Sequence, residues 1–116
     1  MKKITLNVDD LGLSDAVNQA VLRLAQMRRI HATSFMSAGA IRPSEVVQLQ
    51  RLNVDIGLHL DLTGLVCQGS LKAVMARSWL RLWGRAQLRQ LIVQQFDAFE
   101  ATMSAAPAFV DGHQHV

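Results

Sequence analysis

Three short stretches of the chain hold side chains able to bind a cation or move a proton: Asp9-Asp10, His59 with Asp61, and Asp111-Gly112-His113-Gln114-His115. Carboxylates and neutral imidazoles ligate Zn, Ni, Co or Fe, and the same groups serve as general acids and bases. His113 and His115 are two apart, so extended backbone turns both the same way. Adjacent residues on a regular strand point to opposite faces, so Asp9 and Asp10 cannot duplicate one role there. One can face a metal while the other, re-aimed by the turn at Gly12, meets water or a partner side chain. Each stretch also has a plainer reading. An Asp pair caps a turn, an imidazole between Leu58 and Leu60 is a hydrogen-bonded core residue, and a terminal His-x-His is a polar tail. Asp61 either orients His59, lines a substrate groove, or is an ordinary loop acid.

The elements that must position these groups alternate along the chain. Lys3 to Val8 alternates apolar and polar residues and predicts a first strand that stops at Asp9-Asp10. Ser14 is a good N-cap, and Val17, Ala20, Val21 and Leu24 follow at helical spacing, so a helix is expected to about Arg29. Ala32 to Ser37 predicts a second strand. Pro43 opens a second helix, because proline is tolerated in a first turn. Val54 to Leu62 predicts a third strand, Leu71 to about Met103 a helical region broken at Gly84, and Ala108 to Val110 a fourth strand. Strand and helix alternating at this spacing argue for βαβ units and a parallel sheet, whose chemistry sits at the carboxyl ends of its strands. Three of the four expected strands end in the residues singled out above, so one rim should gather them.

Composition bounds the rest. The chain has 116 residues, 50% hydrophobic and 18% charged, which suits one domain and excludes a disordered or collagen-like sequence. A single cysteine, Cys67, cannot form an internal disulfide and fits a reducing compartment as a small core or loop thiol. No apolar run approaches the roughly 20 residues of a spanning helix. Asn7, Asp9 and Asp10 interrupt any apolar region behind Lys2-Lys3, so no signal peptide is expected and a cytoplasmic location is. The charge of +3 is too mild to imply nucleic acid by itself.

Asn7-Val8-Asp9-Asp10-Leu11-Gly12-Leu13-Ser14, then Thr33-Ser34, Gly57-Leu58-His59-Leu60 and Asp111-Gly112-His113-Gln114-His115-Val116, in that order, resemble the YdjC-like family, the ChbG/HpnK group of carbohydrate deacetylases. Leu11 stands where that family usually has Phe. The resemblance implies a variant (β/α) barrel, of which this chain would be the amino-terminal half, and a metal-dependent hydrolase acting on N-acetylated sugars or oligosaccharides such as chitooligosaccharides. It makes Asp10, His59 and His113 the metal ligands and Asp9 the catalytic base. His115 is the motif residue left to protonate the departing amine. The family is associated with Mg, whereas ligand softness favours Zn or another transition metal. Family members are about twice as long as this chain, and a closed barrel needs ~250 residues. Residues 1–116 are thus expected to form one incomplete domain, inactive or self-associating when alone. Two other classes use the same residues: another metal-dependent hydrolase (a phosphoesterase or amidohydrolase), or a non-catalytic fragment.

Arg77, Arg81, Arg85 and Arg89 recur every four residues beside Trp79, Leu80, Leu82 and Trp83. The plain reading is a solvated basic face over core-packed helices, with no nucleic-acid partner, since base-stacking and recognition motifs are lacking. The sharper reading is a membrane-interfacial helix.

Overall fold

The computed structural model describes all residues except Met1, Lys3, Cys67, Gln68 and Val116, together with the side chain of His115. The expectation for Cys67 lies outside the described residues. The elements run β1 (Asn7–Leu11), α1 (Asp15–Gln26), β2 (Ala32–Phe35), α2 (Pro43–Arg51), β3 (Asp55–Leu60), α3 (Leu71–Trp79), α4 (Arg85–Met103), β4 (Val110–Gly112) and a 3-10 turn over His113–His115. All four strands are parallel, in the spatial order β1-β2-β3-β4. The protein is thus an α/β fold with parallel strands alternating with helices, as the sequence leads one to expect.

Local chemistry explains the helix starts. The Ser14 hydroxyl accepts from the Val17 amide at 3.3 Å, and Asp15 adds negative charge to the first turn of α1. Pro43 occupies the first turn of α2, where the Glu45 carboxylate accepts from the Arg42 amide at 2.9 Å. The expected long helical region divides more widely than at Gly84 alone. Residues 80–84 leave the helix, Arg81 takes φ 53°, and Gly84 is the N-cap of α4.

Two strands fall later than their apolar patterns indicate. β1 starts at Asn7, the first residue paired with β2, opposite Ala32, while Ile4 and Leu6 before it lie exposed. β4 starts at Val110 and takes in Asp111-Gly112, because its ladder follows β3 from Leu58 to Leu60.

The sheet has one apolar and one polar face. Val8, Phe35, Ile56, Leu58 and Leu60 meet Val21, Leu22 and Ala25 of α1, Val46 and Leu49 of α2, and Phe99 and Met103 of α4 in one core. A sequential strand order with right-handed crossovers places the helices on that same face. Phe35 and Phe99 stack at its centre, 6.1 Å apart and tilted by 55°. The alternate residues Asn7, Asp9, Ser34 and His59 project to the other side.

The loops after β1 and β2 lock together beside the rim. Buried Asn18 accepts from the Gly12 amide at 2.7 Å and donates to the Ala40 carbonyl at 2.8 Å. A Cβ on Gly39 would collide with the Gly12 carbonyl, a backbone group that cannot rotate away. Gly39→Ala should therefore cost about 1–3 kcal/mol in urea unfolding. Gly84→Ala, whose new carbon would meet nothing closer than Gln87 Cβ at 4.0 Å, should cost less than about 1 kcal/mol.

Candidate metal centre

Parallel register carries the strand ends to one rim: Val8 lies opposite Thr33, Thr33 opposite Ile56, and Leu58 opposite Val110. Between Val8 and Leu11 the β1 ladder slips. Leu11 pairs with Phe35, so Asp9 and Asp10 together face the single residue Ser34. Asp10 absorbs the extra residue at φ 66°, a left-handed conformation that Asp tolerates better than most side chains. The bulge, rather than the turn at Gly12, brings both carboxylates to the same rim.

There the Asp10 carboxylate lies 3.2 Å from Nε2 of His59 and 3.0 Å from Nδ1 of His113, and the two imidazole nitrogens are 3.3 Å apart. His59 is 3% exposed, while Asp10 and His113 are half-buried. The rings meet edge to face, 5.3 Å between centroids. Two ring nitrogens and a carboxylate oxygen converging this closely repel one another unless a proton or a cation lies among them. A divalent ion ~2.05 Å from each donor would set them about 2.9 Å apart at octahedral angles and about 3.3 Å apart at tetrahedral ones. The donor set therefore fits such an ion. The fit does not discriminate Mg from Zn, since the measured edges fall between those limits.

The surrounding groups fix the ligands' protonation. Nδ1 of His59 is 2.7 Å from the Asp111 carboxylate and 3.2 Å from Ser34 Oγ. An ionised carboxylate only accepts, so Nδ1 carries the hydrogen and Nε2 presents its lone pair to Asp10 and His113. Ser34 Oγ donates onward to Asp9 Oδ1 at 3.3 Å, where Asn7 Nδ2 also donates at 2.6 Å. Asn7 reaches the second oxygen of Asp111 at 3.4 Å. Asp9, His59 and Asp111 form a second convergent group around the same imidazole.

The residue that orients His59 is Asp111, not Asp61. Sequence reasoning quoted Asp111 only as a neighbour of the histidines. Its one discriminating signal is that a strand ending in Asp-Gly-His places the acid one pleat ahead of His113, opposite His59 in the β3–β4 register. Asp61 is buried and organises the loop after β3. Its carboxylate accepts from the amides of Thr63 at 2.9 Å, Gly64 at 2.5 Å and Val66 at 3.1 Å. Its backbone amide and carbonyl bond the Gln95 side chain of α4 at 2.8 and 2.9 Å. Burial pushes the Asp61 carboxyl up, but the amides of Gly64, Val66 and Thr63, with the nearby His113, outweigh it and hold the group below the usual carboxylate range. The His115 backbone lies in the 3-10 turn, and its side chain is outside the described residues. A cavity of about 530 Å³ opens at the same end of the sheet, between Gly12–Asp15 and the 38–42 loop, and none of Asp10, His59 or His113 lines it.

A lowered carboxyl pKa in the folded chain stabilises it at neutral pH, and the contribution fades as pH falls below the unfolded value of about 4. Asp61→Asn should thus lower stability by about 2 kcal/mol in urea melts at pH 7. The gap from the parent chain should hold down to about pH 4 and close below it.

Three comparisons with known proteins agree with this architecture. A family model described as YdjC-like protein matches residues 3–116. The chain is 27% identical over 129 residues to the chitooligosaccharide deacetylase of Serratia marcescens, an alignment covering 99% of this chain and 50% of that protein. It therefore spans about half the length of the curated relative it matches. A crystal structure from Enterococcus faecalis V583, of a protein named for cellobiose-phosphate cleavage, matches the fold with a TM-score of 0.78 at 19% identity, over 99% of this chain and 49% of that one. With a family match running from residue 3 to the last, on a parallel sheet that gathers its Asp and His side chains at one rim, the chain belongs to the YdjC-like protein family.

Proposed function

We propose that residues 1–116 carry the metal-binding half of a hydrolase that removes acetyl groups from N-acetylated sugars. The observation that supports this most strongly is the convergence of Asp10, His59 and His113, with ligand atoms no more than 3.3 Å apart and Asp9 beside them. The family match and the deacetylase relative point to a carbohydrate amide as substrate.

A divalent ion in this place supplies Lewis acidity, polarising a carbonyl and making water a better nucleophile. The chain's own residues supply the rest. Asp10, His59 and His113 would hold the ion, with Asp10 offsetting part of its charge and the two neutral imidazoles offsetting none. Asp111 keeps His59 in the one tautomer that can ligate. Asp9 takes the proton of the attacking water. Its Oδ1 is held by Asn7 and Ser34, and its Oδ2 makes no hydrogen bond among the described residues, which leaves that oxygen to act as base. His115 protonates the amine as the C–N bond breaks. The cavity at the same end of the sheet gives room for sugar beyond the reacting acetamide.

Calorimetric titration of residues 1–116 with Zn, Co or Mg should show one site. Asp10→Asn, His59→Ala and His113→Ala should abolish it, and Asp111→Asn should weaken it about 10–100-fold. In a chain of the relatives' full length, Asp9→Asn should keep metal affinity within a few-fold while acetate release from a chitooligosaccharide falls about 10²–10⁴-fold. His115→Ala should slow the same reaction with little change in metal affinity. Turnover that survives Asp9→Asn removes the base. Phosphate released from a sugar-phosphate panel, with no acetate from the acetylated one, replaces the deacetylase reading by a phosphoesterase.

A further inference from the structure

Between Leu62 and Phe96 the chain carries five cations, Lys72, Arg77, Arg81, Arg85 and Arg89, and no acidic residue. That stretch includes α3, residues 80–84 and the first part of α4. None of the five cations has a carboxylate within 4 Å among the described residues, and all are exposed or half-buried.

Large apolar side chains stand among them. Met75 and Trp79, one helical turn apart on α3, are 56% and 87% exposed, and Leu80 and Leu82 beyond them are 61% and 60% exposed. Val74, on the opposite side of the helix, is the one fully buried residue of α3. The segment is nonetheless ordered by its own contacts. The Leu82 amide bonds the Arg77 carbonyl at 2.8 Å, Trp83 Nε1 donates to Ser78 Oγ at 3.1 Å, and the Arg77 guanidinium covers the Trp83 ring at 4.4 Å. α4 packs Phe99 and Met103 into the core as the plain reading expects, but on α3 and residues 80–84 most large apolar side chains do not pack there. The apolar residues project outward, on a folded knob that faces water.

We propose that this knob docks on an anionic membrane surface, inserting Trp79, Leu80, Leu82 and Met75 at the headgroup level while the five cations meet lipid phosphates. Exposed Trp and Leu flanked by Lys and Arg match both layers of that interface: apolar groups reach the acyl boundary and cations stay at the charged plane. No helix is long and apolar enough to cross a membrane, so the contact is peripheral. A second copy of this chain is a poor occupant, because two such knobs would face each other with like charge. Nucleic acid would satisfy the cations and stack on Trp79 but leave Met75, Leu80 and Leu82 unmatched.

The test is cosedimentation of residues 1–116 with phosphatidylglycerol/phosphatidylcholine vesicles, read against pure phosphatidylcholine vesicles and a vesicle-free sample. Binding to the anionic vesicles alone, weakened by salt, is expected. Trp79 and Trp83 are the two tryptophans of the chain, so their emission reports only on the knob and should shift to the blue. Each cation neutralised among R77Q, R81Q, R85Q and R89Q should lower partitioning about fivefold. W79S/L82S should lower it further and abolish the emission shift, with the far-UV melting curve unchanged. R28Q/R29Q removes equal charge after α1 and should leave binding nearly intact. Equal loss in that control, no preference for anionic lipid, unshifted emission on binding, or displacement of vesicles by poly-U RNA each overturns the proposal. The outcome is independent of metal binding at the rim, so either reading can fail alone.

Discussion

One extra residue in β1 governs the site. A regular strand would send Asp9 and Asp10 to opposite sides of the sheet, one of them toward the helices, where an unpaired carboxylate would be strongly disfavoured. By slipping one position against β2, with Asp10 at φ 66°, the strand delivers both carboxylates to the polar face within reach of His59. A bulge also ends the ladder at this point and re-aims the chain toward the Gly12 turn. Only a residue that tolerates left-handed backbone can occupy the position, so the Asp10 carboxylate and the conformation that points it are chosen together.

The bulge works because the surrounding frame is stiff. Parallel register brings β3 and β4 to the same height, which sets Asp111 opposite His59. Asn18 ties the loop after β1 to the loop after β2, and Asp61 with Gln95 ties the loop after β3 to α4. Each tie spends a buried polar side chain on backbone groups that would otherwise lack partners. Asp10, His59 and His113 therefore stand on strand ends and hydrogen-bonded turns, at the close spacing that a divalent ion would need.

The polar face also accounts for the asymmetry of the sheet. One side packs against three helices, while the other presents Asn7, Asp9, Ser34 and His59 as a connected network. The solved and curated relatives are about twice as long as this chain, which matches about half of each. On α3 and the turn after it, Met75, Trp79, Leu80 and Leu82 remain in water beside cations that have no carboxylate partner among the described residues.

Much of this was legible in the residue order. Alternating β and α patterns, the Ser14 and Pro43 helix starts, and Asp or His at the ends of three strands determined a parallel α/β sheet with acids and imidazoles on one rim, because hydrophobic periodicity and capping are local properties. The resemblance carried by the four motifs named the family. Tertiary structure decided what depends on cross-strand pairing. The bulge follows from the register of β1 on β2, which no local pattern encodes. The placing of Asp111 rather than Asp61 behind His59 follows from the register of β4 on β3. The ends of β1 and β4 moved for the same reason: ladder partners, not apolar alternation, set where those strands begin. The outward exposure of Trp79 and Leu82 was equally hidden, since a stripe of apolar residues reads as core until the fold shows it exposed.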